Sequence, residues 1–134
     1  MSKQTASQPI LCIDLKKNRI RIHKQTLHML GDPEYIQLLV NPSLKMIAIR
    51  CSCREDNLAH RIRRYQLTDG NCYEIYSTDL IRTLRNVDNS WRTDCSYRIY
   101  GNMNHTAKIA QFSMNDVVLV VELQNAVMQV TAYD

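Results

Sequence analysis

The hydrophobic pattern changes period near the start of the chain. In Arg19-Ile20-Arg21-Ile22-His23 apolar residues alternate with basic ones, the period of a strand with one buried face. Leu27 and Leu30 are instead three apart, as on one side of a helical turn. Gly31 stands where a helix stops, and Pro33 disfavours helix in the residue before it. A basic strand over 19–22 therefore runs into a short helix over 26–30.

Strand patterns flank this unit. Residues 10–15 (ILCIDL) read as a strand and Lys16-Lys17-Asn18 as a turn. Residues 35–40 and 45–51 are both β-rich, and the Asn-Pro-Ser-Leu between them predicts a hairpin. The alternation over 60–67 predicts a further strand, closed by a turn at 68–71. A similar order then returns: a strand over 72–76, Ser77 as an N-cap, and a helical stripe of Leu80, Ile81 and Leu84. A polar loop over 88–94, a strand over 96–100, a turn over 101–105 and a strand over 107–112 follow. The stretches 19–53 and 72–113 thus share a strand–helix–strand–strand pattern, with Ile20 aligned to Tyr73, Ile22 to Ile75 and Leu27 to Leu80 without gaps. The tail over 116–133 is rich in Val, which favours one or two strands. Its continuous run Val117-Val118-Leu119-Val120-Val121 suits a strand covered on both faces, by the chain's own core or by a second copy.

The pattern predicts an α+β fold, a mostly antiparallel β-sheet or small barrel with two short helices. The 134 residues suit a single domain over 9–134 with a loose polar start over 1–8. No apolar run approaches a membrane span and no signal peptide stands out, which points to the cytoplasm. The five cysteines, Cys12, Cys51, Cys53, Cys72 and Cys95, lack the spacing of a disulfide framework or a zinc knuckle. Free thiols acting as small hydrophobes are expected. There is no Gly-rich phosphate loop, and Cys51, Cys53 and His60, the nearest approach to a thiol–base set, have no local catalytic signature. The chain is therefore expected not to be an enzyme and to need no cofactor. Trp91 is expected as a core or interface anchor.

Charge adds a functional direction. Residues 1–67 carry 12 Lys and Arg against 5 Asp and Glu, while residues 68–134 carry 5 against 8. That imbalance predicts a polarised surface able to bind a polyanion. Lys16, Lys17, Arg19, Arg21 and Lys24 form one candidate set for nucleic-acid binding; Arg61, Arg63 and Arg64, with Tyr65, form a second. The same residues also fit the solvated faces of half-buried strands.

Arg19, Ile20, Ile22, Lys24, Leu30 and Gly31 fall in the spacing of a Gly-Arg-Ile-x-Ile-Pro-Lys run followed by a short helix ending in Leu-Gly. In this the segment 19–50 resembles the swapped-hairpin DNA-binding domains of the AbrB, MazE and MraZ kind. It departs from them at Asn18, where glycine is usual, at His23, where proline is usual, and at Thr26, where leucine is common. The resemblance implies a β-rich homodimer that lays basic strand and loop residues on DNA, as a transcriptional regulator does. The alternative expectation is an interaction or accessory module without a nucleic-acid role.

Overall fold

The computed structural model describes residues 8–63, 71–123 and 126–131, the residues from 121 onward as backbone only. The first seven residues of the expected loose start lie outside this range, as do Arg64, Tyr65 and most of the turn expected at 68–71.

Two sheets and two helices make up the described chain, an α+β arrangement with antiparallel pairing throughout and no closed barrel. Strands β1 (Ile10–Asp14) and β2 (Arg19–His23) form a hairpin, and β2 leads directly into α1 (Lys24–Met29). Next come β3 (Tyr35–Asn41), β4 (Met46–Cys51) and the two-residue β5 (His60–Arg61). The second part contains β6 (Cys72–Tyr76), α2 (Thr78–Val87), β7 (Ser96–Tyr100), β8 (Asn102–Asn104), β9 (Ile109–Ser113), β10 (Val117–Leu123) and β11 (Ala126–Thr131). The six-stranded sheet has the order β11-β10-β7-β1-β2-β6, and the five-stranded sheet β5-β3-β4-β9-β8.

Both sheets therefore draw strands from both parts of the chain. The charge asymmetry between the sequence halves does not become an asymmetry between two lobes. The shared element order also ends in different places: β3 turns back on β4, whereas β7 enters the other sheet between β1 and β10.

Strand alternation sorts the side chains. Leu11, Ile13, Ile20, Ile22 and Ile99 of the six-stranded sheet and Ile36, Ile47, Ile49 and Phe112 of the five-stranded sheet are fully buried. Leu27 and Leu30 at α1, and Ile81 and Leu84 of α2, join the same core. Each such side chain contributes about 1.5–3 kcal/mol by leaving water. Trp91 is also in the core, its ring stacked on Tyr97 at 5.1 Å. Four side chains of the valine run, residues 117–120, are described. Val117 is buried and Leu119 packs on the core, while Val118 and Val120 face outward half-buried.

Local chemistry sets the element ends. Gly31, at φ 87°, ends α1, with Gly31 N–H donating to the His28 carbonyl and Asp32 N–H to that of Leu27, a glycine-dependent C-terminal turn. Ser77 Oγ accepts from Leu80 N–H and starts α2. At Gly101 the chain passes from one sheet to the other, and a Cβ there would collide with the Gln111 carbonyl and the Phe112 ring.

Three expectations change. The strand expected over 60–67 is ordered as β only at His60 and Arg61 among the described residues, where Ile36 and Tyr35 supply partners. The turn expected over 101–105 is instead strand β8, with the turn at 105–108. Helix α1 begins at Lys24, two residues early, because the His23 imidazole caps it.

Candidate nucleic-acid interface

The face of the six-stranded sheet opposite the core carries most of the chain's unusual chemistry. Register places its side chains in rows. One row runs Val118–Arg98–Cys12–Arg21–Glu74 across β10, β7, β1, β2 and β6; the next runs Val120–Ser96–Asp14–Arg19–Tyr76. His23 lies opposite Cys72 at one end.

The ion pairs on this face are internal. Arg19 Nε donates to Asp14 Oδ2 at 2.8 Å, and its Nη1 to Glu74 Oε2 at 2.8 Å. Arg21 Nε lies 3.2 Å from the same Glu74 oxygen. The Tyr76 hydroxyl donates to the other Glu74 oxygen at 2.9 Å. Burial alone would lower the Arg19 pKa; its hydrogen bonds with Tyr76 and Asp14, and the charges of Asp14 and Glu74, more than offset that and raise it. Both carboxylates are largely covered, at 8 % and 14 % side-chain exposure, so these bonds hold in a drier setting than surface pairs do. Two of the arginines expected to meet phosphate are thus part of the sheet's own bonding.

The lysines are placed differently. Asp14 Oδ1 accepts from the backbone N–H groups of Lys16 (3.1 Å) and Lys17 (3.3 Å). Asn18 closes the turn at φ 51°, a conformation asparagine tolerates. The turn is fixed by its backbone, which leaves both lysine side chains exposed. Lys24, also exposed, sits at the other end of β2, where its N–H donates to the Asn71 carbonyl. The two lysine positions are about 16 Å apart along the strand, at about 3.3 Å per residue.

The second expected cluster belongs to the other sheet. Arg61 is paired with Glu34 at 3.2 Å, both well exposed. Arg63 is exposed too and near enough to Tyr73 for its charge to oppose the upward push of burial on that phenol. Arg61 thus sits on β5 of the five-stranded sheet and Arg63 by Tyr73 of β6, while Arg64 lies outside the described residues.

Arg98 is the cation the charge count hid, because it lies in the acidic half of the chain. Alternation in Ser96–Tyr100 separates Arg98 and Tyr100 from the buried Tyr97 and Ile99. Among the described residues Arg98 makes no ion pair. Burial works against its charge, but hydrogen bonds with Tyr100 and Cys12 prevail and raise its pKa. Its Nε–H is covered and has no acceptor among the described residues. His23 feels both neighbouring guanidiniums: burial first, then Arg98 and Arg21, hold its pKa below the usual value. Its Nδ1 accepts from Gln25 N–H at 3.1 Å, so the neutral ring is the capping form.

The thiols are spread over the fold. All five are free; Cys72 is buried, Cys12 and Cys95 half-buried, and Cys51 and Cys53 exposed. The small-hydrophobe reading therefore describes Cys72 best. Burial pushes its thiol up, with Arg21 pulling the other way. Among the described residues no group of three or more His, Cys, Asp or Glu could hold a metal ion, and no helix is long and apolar enough to cross a membrane. Set against known protein families, characterised proteins and solved structures, the chain matches none.

Proposed function

We propose that the protein is a small cytoplasmic nucleic-acid-binding regulator that meets DNA phosphates with the cations around β2. The observation that carries this reading is the Lys16–Lys17 turn, held rigid by Asp14 through backbone bonds while both ammonium groups stay exposed. Lys24 and Arg63 add exposed positive charge. Neutralising phosphates releases counterions, which drives binding without base contacts. The AbrB-like resemblance of 19–50 supports the same reading and adds a homodimer.

Mixed-sequence duplex DNA should bind at low salt with a steep salt dependence. Lys16→Ala with Lys17→Ala should flatten log affinity against log salt by about two units. No binding at low salt would remove the proposal. Light scattering tests the dimer, for which Val118 and Val120 are the outward-facing valines of β10; a clean monomer at micromolar concentration would remove it.

One observation favours a second reading, a protein-interaction or accessory module. Arg19 and Arg21 are tied to Asp14 and Glu74, as expected if the basic strand is structural. On that reading duplex affinity is absent and the Lys16 and Lys17 substitutions are silent.

A further inference from the structure

The row Arg98–Cys12–Arg21 has the form of a seat for an oxyanion. Arg98 on β7 and Arg21 on β2 flank Cys12 on the intervening β1. Their backbones are two strand spacings apart, about 10 Å. The residue between them is one of the smallest side chains on this face, so two long guanidinium side chains can lean over it from either side.

Charge is uneven along the row. Among the described side chains, three guanidiniums, Arg19, Arg21 and Arg98, share the face with two carboxylates, Asp14 and Glu74. Both carboxylates bond on the β2 side. Burial opposes the Arg98 charge and its hydrogen bonds with Tyr100 and Cys12 offset that, yet among the described residues its covered Nε–H has no acceptor. Both arginines lie near enough to the neighbouring His23 for their charges to add to burial in lowering its pKa.

We propose that this row is a phosphate-binding site, with one phosphate group seated over Cys12 between Arg98 and Arg21. Guanidinium groups match phosphate oxygens in paired, charge-assisted hydrogen bonds. The occupant, a backbone phosphate of a bound nucleic acid, rests on the function proposed above. Lys16 and Lys17, in the turn joining β1 to β2, then hold other phosphates of the same ligand.

Two probes test this: inorganic phosphate, followed through the Arg98 side-chain NMR signal, and a mixed-sequence DNA duplex, followed by affinity. Phosphate should shift the Arg98 signal saturably in the wild type and in Cys12→Ser, but not in Cys12→Met, where a longer side chain fills the seat. Arg98→Ala should weaken duplex binding about tenfold and lower the salt slope by about one unit. Arg98→Gln, closer in length, guards against a change that is only structural, and thermal melting checks that every variant is folded. Folded Arg98→Gln and Cys12→Met proteins that bind duplex as the wild type does, with no saturable phosphate shift at Arg98, would overturn the site. If Lys16→Ala with Lys17→Ala still weakened binding in that case, the nucleic-acid function would stand without it. A saturable Arg98 shift in a protein that binds no duplex would keep the phosphate site and remove that function.

Discussion

The β2–α1 and β6–α2 units start alike and are secured differently. In each a five-residue strand enters a helix, and the two strands lie side by side in one sheet. Helix α2 has ten residues, a serine cap, and Ile81 and Leu84 buried in the core. Helix α1 has six residues, an imidazole cap and a buried threonine. Thr26 Oγ1 accepts from Ile10 N–H at 2.7 Å and donates to the Ile10 carbonyl at 3.0 Å. Its hydroxyl completes the bonding of Ile10 on the side where β2 stops pairing at Leu11–Ile22, Tyr100 of β7 lying on the other side. Helix α2 is thus held by apolar burial and local signals, while α1 adds polar bonds to another strand to the burial of Leu27. Six residues are too few to be helical without such support.

Three changes probe that contrast. Leu84→Ala should have the largest effect, about 2–5 kcal/mol lost in denaturant unfolding, because Leu84 is fully buried. A loss below about 1 kcal/mol would mean that α2 is not anchored as described. Thr26→Val keeps the shape but strands both polar groups of Ile10, and should cost about 1–3 kcal/mol. Thr26→Ser should recover most of it; equal losses would show that the methyl group matters and the hydroxyl does not.

The smallest effect is expected from pH. His23 is neutral in the folded protein with a pKa below the ordinary 6.5. Between that lowered value and 6.5 the unfolded chain binds more protons, so stability rises with pH in this window. The His23 contribution is complete above 6.5 and is lost as pH falls through the folded value. His60, lowered by burial, adds the same sign. His23→Asn should reduce the pH dependence, since asparagine can cap without titrating. Ser77→Ala should lower stability by about 1 kcal/mol at every pH. An unchanged pH profile in His23→Asn would remove the imidazole from the capping role.

The sequence made the hairpins and the Ser77 cap legible because their signals are local. Leu27, Leu30 and Gly31 likewise marked α1 and its end. The His23 cap was not legible, because histidine is outside the usual capping set and its role depends on ring orientation. Asn102–Asn104 has the composition of a turn and becomes a strand by pairing with β9. His60–Arg61 shows the converse: a long alternating stretch in which only the residues opposite Tyr35 and Ile36 are ordered as a strand among those described. At the candidate interface the lysines were visible as charges. The anchoring of Arg19 was not, because Glu74 lies 55 residues away. Arg98 was masked in the charge count because it lies in the acidic half of the chain.

The passage through Gly101 bears on how the protein is made. As the chain leaves the ribosome, the β1–β2 and β3–β4 hairpins emerge first, with the outer edges of β1 and β4 awaiting partners from much later in the chain. Those partners, β7 and β9, follow on either side of the Gly101 crossing and arrive only when most of the chain has been synthesised. The five-stranded sheet has all its strands once β9 is made, whereas the six-stranded sheet waits for β10 and β11, and such distant pairings slow folding and leave strand edges exposed meanwhile. The nascent first half is accordingly the stage at which this protein is most open to aggregation and most dependent on chaperones.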